Sequence, residues 1–199
     1  MKLKLTKNEL KKQREALQRF ERYLPTLQLK KQQLQFEILR IERKIEEINH
    51  QIEMVEKEIY PWVDVFSEEV DWDKLLKLKK INIEMGNIAG IDIPLFTGVE
   101  FEEKDYDFFS TPLWVDEGIK VCKKRISLEA QRLIYEKQRD ILKEELRITT
   151  QRVNLFEKVK IPQTKENIRK IRIYLGDLQT AGVVRGKFAK AYIERKVYQ

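Results

Sequence analysis

The sequence has very little of what active sites are made from. Among 199 residues there is one histidine and one cysteine, whereas a metal or redox centre needs several such ligands converging on one point. No metal site and no cofactor are therefore expected. His50 falls between the apolar positions 48 and 52 of a periodic segment and reads as a solvated helix flank. Cys122 has no partner for an internal disulfide and occupies a helical apolar position, where a thiol acts as a small hydrophobe. Hydrophobic runs are short as well. None reaches the roughly 18 uncharged apolar residues of a membrane span, and the N-terminus MKLKLTKNELKKQ lacks a signal-peptide core. A cytoplasmic chain without direct membrane insertion is the expectation. The glycine pair in GVVRGKF, residues 182–188, resembles a phosphate loop only superficially: it encloses three residues instead of four, and Phe188 stands where a magnesium-binding Ser or Thr is needed.

Glycine and proline are also scarce, seven and five residues, and long stretches contain no helix breaker. What fills them is periodic. Apolar residues stand at 34, 38, 41, 45, 48, 52, 55 and 59, and the same ruler runs back through Leu27, Leu24, Phe20, Leu17 and Leu10 with only Gln13 and Lys31 polar. A strict 3.5-residue repeat keeps one stripe against one partner, which is the mark of a coiled coil. Thr6 followed by Glu9 has the spacing of a capping box and predicts the helix start. About 54 residues at roughly 1.5 Å each make a helix of about 80 Å, so a partner helix is required.

Residues 117–161 supply one. The segment has no proline before Pro162 and a single glycine, Gly118, with Leu128, Tyr135, Leu142, Thr149 and Phe156 seven apart and Ile134, Ile141, Ile148 and Leu155 in a row beside them. Beyond Pro162 the pattern resumes with Ile168, Ile171, Leu175 and Leu178. Two arms of similar length joined by an insert predict an antiparallel hairpin. The second apolar row exceeds what one partner helix covers, so the insert or another protein is expected to cover it. Pro25 and Pro162 each predict a bend or a local break.

The joining segment differs in character. KINIEM and IDIPLF alternate apolar and polar residues around GNIAG, which predicts a β-hairpin. Trp62, Phe66, Trp72, Phe96, Phe101, Phe108, Phe109 and Trp114 could form a small core there. The expected fold class is thus mainly α, a long antiparallel two-helix coiled-coil hairpin with a small β-containing insert at the turn. Its parts are a helix over 1–59, an insert over 60–116, and a second helix over 117–199 with a break near Pro162.

Charge is distributed unevenly. Residues 1–60 carry 14 basic and 10 acidic side chains, 61–117 carry 5 and 14, and 118–199 carry 21 and 9. A hairpin would bring the basic termini together, so that end is expected to meet a negative or carbonyl-rich surface. Carboxylates such as Glu42 and Glu46 are expected to make contacts with neighbouring Lys and Arg four residues away. Nothing in the pattern predicts an enzyme.

Three segments carry a family resemblance: LTKNELKKQREALQRFERYL, GNIAGIDIPLF, and RITTQRVNLFEKVKIPQTKENIRKI. Together they resemble the D subunit of the V/A-type rotary ATPases. The matching positions are Asn87, Ala89, Gly90 and Pro94, then Thr149, Arg152, Val153, Asn154, Glu157, Ile161 and Pro162. The end, LGDLQTAGVVRGKFAK, departs from the acidic-aromatic stretch of eukaryotic and archaeal members and is more similar to the bacterial branch. The resemblance implies a non-catalytic rotor shaft. Its paired termini would enter the bore of a hexamer of A and B subunits, and its insert end would meet the F subunit and a funnel-shaped adaptor on the membrane rotor ring. Peripheral association with the membrane follows. Lys7, Lys11, Lys12, Arg14, Arg185, Lys187 and Lys190 are then expected to make the bore contacts. Met85, Asn87, Ile88, Ile91, Pro94 and Phe96 are expected to face F or the funnel, with Pro25, Gly90, Asn154 and Pro162 in structural roles. Two other classes fit parts of the pattern. A prefoldin-like coiled-coil chaperone also joins helices through β-hairpins, but it needs apolar tips where this chain has charged ones. A nucleic-acid-binding coiled coil would use the basic end on phosphates, yet aromatic interleaving there is limited mainly to Phe188 and Tyr192.

Overall fold

A computed structural model describes residues 3–68, 72–103 and 111–197. Helix α1 runs over Lys7–Ile59, a 3-10 segment over Tyr60–Ser67, and the short helix α2 over Trp72–Leu75. Strands β1, Leu76–Ile88, and β2, Ile91–Glu103, form one antiparallel hairpin. Helix α3 spans Val115–Asn154, a π-helical stretch follows at Leu155–Lys160, and α4 runs over Ile161–Val197. The fold class is the expected one. The chain divides into two compact units, residues 31–147 and residues 1–30 with 148–199.

In the unit of residues 31–147 the predicted seam is the core. Leu34, Ile38, Ile41, Ile45, Ile48, Ile52 and Val55 are all buried, because a 3.5-residue repeat keeps them on one side of α1. The pairing with α3 is antiparallel, as three cross-helix ion pairs show: Glu42 with Lys143 at 2.7 Å, Glu56 with Arg125 at 3.1 Å, and Glu58 with Lys124 at 3.6 Å. Leu142 is fully buried in this seam.

Of the second apolar row, Ile141 packs in the cluster that the hairpin covers and Ile134 is buried, whereas Leu155 is 43% exposed. Ile93 of β2 is fully buried in one cluster with Leu34, Ile38, Ile41, Ile45 and Leu142, and Ile88, Ala89, Ile91, Tyr135 and Ile141 pack around it. The expected hairpin is present, and its turn is of the two-residue type. Ala89 (φ 53°) and Gly90 (φ 78°) both take left-handed conformations, which match the twist of the flanking strands. Asn87 braces the turn: its side-chain oxygen accepts the Gly90 N–H at 3.0 Å and its amide donates to Asp92 at 2.8 Å.

Trp72 and Trp114 pack at a centroid distance of 5.8 Å beside Leu75, Val115 and Ile119. Gly118 lies under both rings, and a Cβ there would sit 3.2–3.3 Å from them. Trp62 donates to the Glu58 carbonyl at 2.9 Å, and Phe96 lines a hollow beside Tyr135. Phe108 and Phe109, and the side chain of Phe66, lie outside the described residues.

In the other unit, α1 pairs antiparallel with the helix that follows α3. Phe20 stacks on Phe156 at 5.3 Å, Asn167 donates to Gln13 at 3.4 Å, and Lys165 bridges Glu21 at 3.1 Å. Half of the capping box is present: the Glu9 N–H donates to Thr6 Oγ1 at 3.2 Å, while the Glu9 carboxylate accepts from the Gln13 side-chain amide at 2.9 Å. Neither proline ends a helix. Pro25 lies inside a continuous α1, although it removes one hydrogen bond and its ring crowds the carbonyl four residues back. Helical geometry also continues through Pro162, where the irregularity takes the form of the π-turn of 155–160 immediately upstream.

Candidate interaction surfaces

The first surface belongs to the unit of residues 1–30 and 148–199. That unit carries 21 basic and 7 acidic side chains, against 19 and 26 in residues 31–147. All seven cations expected to contact a bore, Lys7, Lys11, Lys12, Arg14, Arg185, Lys187 and Lys190, fall in it and are exposed. Lys11 lies 4.0 Å from Glu15 and Lys190 3.9 Å from Glu194, both loose contacts one turn apart on their own helices. Arg185 Nε donates to the Ala181 carbonyl at 3.2 Å. Arg14 lines a hollow of about 460 Å³ with Leu17, Glu21, Ile168, Arg172 and Ile173.

The GVVRGKF segment is part of the unbroken helix α4 and forms no loop. From Gly176 to Glu194 every residue of that helix is exposed. Tyr174, Leu178, Ala181, Val184, Phe188 and Tyr192 recur at intervals of three and four, which places them on one face. Phe188 is 70% exposed and Tyr192 62%. An exposed apolar stripe on a helix otherwise rich in cations is unusual for a solvated surface and makes this face a candidate for contact. Charge alone does not reveal it; the signal is the same three-four spacing continued past Leu178.

The second surface is the hairpin. Its register pairs Ile83 with Phe96, Met85 with Pro94 and Asn87 with Asp92 on one face, and Glu84 with Leu95, Gly86 with Ile93 and Ile88 with Ile91 on the other. The latter face reaches the helices through Ile88, Ile91 and Ile93. The six residues expected at a partner contact therefore separate. Met85 is 72% exposed and Asn87 is exposed. Ile88 and Ile91 pack inward, Phe96 is half-buried, and Pro94 is buried with its carbonyl accepting from Gln138. Exposed Ile83 and Leu78 join Met85 along β1.

Electrostatics away from these surfaces is structural. On α3, Glu129 accepts from Arg132 and from Arg125, the latter at 2.8 Å, and Arg125 also reaches Glu56 on α1. Hydrogen bonds from these arginines hold the Glu129 carboxyl below the usual range. Partial burial pushes the Cys122 thiol up. His50 is exposed. Among the described residues no group of three or more His, Cys, Asp or Glu is arranged to hold a metal ion, and no helix is long and apolar enough to cross a membrane.

The profile of the ATP synthase D-subunit family matches residues 9–191. The chain belongs to this family. The D subunit of a V-type ATP synthase from Borreliella burgdorferi is 49% identical over 195 residues, covering 98% of this chain and 96% of the relative. Similar relatives of the same description come from Chlamydia caviae, 34% identical over 98% of this chain and 95% of the relative, and Chlamydia pneumoniae, 33% identical over 96% and 93%. The resemblance carried by Asn87, Gly90, Pro94, Arg152, Asn154 and Pro162 thus extends over nearly the whole chain, and to bacterial relatives. The D subunit is non-catalytic.

Proposed function

We propose that this chain is the central rotor shaft of a V-type ATPase, coupling ATP hydrolysis or synthesis in an A/B hexamer to rotation of a membrane ring and ion transport. The observation that carries the reading is the exposed, cationic end of α4, with its apolar stripe, in a family whose members are subunits of a rotary motor. In this reading the two helical arms, 1–59 and 117–199, are the shaft. The insert, 60–116, is the coupling head, placing the complex at the cytoplasmic face of a membrane without inserting into it. Lys7, Lys11, Lys12, Arg14, Arg185, Lys187 and Lys190 meet the bore, together with Val184, Phe188 and Tyr192. Met85 and Asn87, with Ile83 and Leu78 beside them, meet the F subunit or the funnel-shaped adaptor; Ile88, Ile91, Pro94 and Phe96 hold that face in position.

Nucleotide-driven closure of a catalytic interface can turn a shaft only if the contact free energy depends on shaft angle. An α4 end with Leu178, Val184, Phe188 and Tyr192 on one face, Arg185 among them, and Lys187 and Lys190 on other faces is not uniform around its axis, and that asymmetry supplies the angular dependence. The test is reconstitution with the A, B and remaining subunits. Reversing the charge of Lys7, Lys11, Arg185 and Lys190 together should lower the number of ions moved per ATP while hydrolysis continues. Unchanged coupling in that variant would remove the role given to these residues.

A further inference from the structure

Within the unit of residues 1–30 and 148–199 the two helices keep different counts. On α1 the seam Leu10, Gln13, Leu17, Phe20, Leu24 and Leu27 proceeds in unbroken steps of three and four, each residue half-buried. Opposite it, buried Thr149 and Val153, with Phe156 stacked on Phe20, set the same frame. Continued in steps of four and three, that frame falls on Lys160, Gln163, Asn167 and Lys170. The buried residues are instead Thr164, Ile168 and Ile171, each one position later than the frame requires.

One residue is therefore in excess between Phe156 and Thr164, and the π-turn is where it is held. The N–H of Ile161 donates to the carbonyl of Phe156, five residues back, so the turn contains one residue more than an α-turn. Without it the extra residue would rotate everything downstream by about 100°. No residue of Leu155–Lys160 is buried. Pro162 has no N–H to restore the α-ladder at Lys158, and Thr164 Oγ1 donates to the Lys160 carbonyl at 2.6 Å.

We propose that Leu155–Lys160 stores this skipped residue as a twist-compliant joint. The all-α alternative would present Gln163, Asn167 and Lys170 to α1 in place of Thr164, Ile168 and Ile171. Burying a lysine and two amides where two isoleucines now lie is strongly disfavoured, so the downstream seam pins the π-turn. The turn itself has no fully buried residue, its Phe156 being half-buried on Phe20, and opens more easily than its neighbours. Twist applied along this unit is then absorbed at 155–160 while the seam on either side stays closed. The excess residue is a property of the chain by itself; its service as a torsional joint rests on the shaft role proposed above.

The experiment uses the isolated full-length chain, so its outcome is separate from that of the shaft role. Deletion of exposed Lys158 brings Thr164, Ile168 and Ile171 into frame as a continuous α-helix. Its Tm should equal or exceed that of the unaltered chain. Deletion of exposed Arg169, which throws Ile171 and Leu175 out of frame, should lower Tm by several degrees. In the unaltered chain, amides of 157–161 should exchange at least roughly tenfold faster than those of 149–153 and 165–171, and deletion of Lys158 should abolish the difference. A loss of Tm on deleting Lys158 equal to that on deleting Arg169 would overturn the proposal, as would uniform exchange through 149–171 in the unaltered chain.

Discussion

The side-chain amide of Gln138 on α3 donates a hydrogen bond to the main-chain carbonyl of Pro94 on β2. Gln138 is 2% exposed, and Pro94 is buried too. The bond joins the hairpin to the helices at a site that water cannot reach. Gln138→Leu keeps the volume but leaves the Pro94 carbonyl without its partner, which should cost about 1–3 kcal/mol. Urea unfolding would read the loss, and amide exchange should accelerate first in residues 91–96.

Gly90→Ala separates backbone strain from packing. A Cβ at Gly90 would meet nothing within 4 Å, yet the residue has φ 78°. The left-handed conformation alone should cost about 1–2 kcal/mol, measurable as a lower urea midpoint with an unchanged slope.

Glu129 makes stability depend on acidity. Its carboxyl is held low by hydrogen bonds from Arg132 and Arg125, so folding favours its ionised form. That contribution is fully present above the ordinary glutamate value of about 4.3, and it is lost as pH falls through the lower folded-state value. Glu129→Gln should flatten the decline of Tm on acidification below about pH 4.5. An unchanged acid limb would mean that the arginine contacts do not persist in solution.

The α4 stripe should matter to assembly and not to the chain itself. Val184, Phe188 and Tyr192 are 45–70% exposed, so replacing all three by Ser should move Tm by little, since exposed substitutions are usually within about 0.5 kcal/mol each. Affinity for an A/B hexamer, measured by co-purification or titration, should fall clearly.

Most of the fold is legible in the sequence because its signals are periodic. The seam from Leu34 to Val55 can be read residue by residue, and the hairpin follows from GNIAG between alternating strands. Less is legible where tertiary contact overrides local pattern. Pro25 and Pro162 each predict a bend or a local break; α1 stays helical through Pro25, and near Pro162 the irregularity is the π-turn of 155–160 just upstream. Gln138 looks like an ordinary surface residue because its partner, the Pro94 carbonyl, is brought to it only by the docked hairpin. The same docking turns Ile88 and Ile91 inward, away from the partner face that their apolar character suggests. The one-residue excess is present in the sequence as the phase change between Phe156 and Ile168.

The most direct test of the shaft role is single-molecule rotation. A bead attached to the exposed hairpin side of this chain, with the A/B hexamer fixed to a surface, should turn in one direction in discrete steps when ATP is supplied, and stop when ATP is removed. Sustained ATP hydrolysis by the complex with the bead stationary would contradict the role.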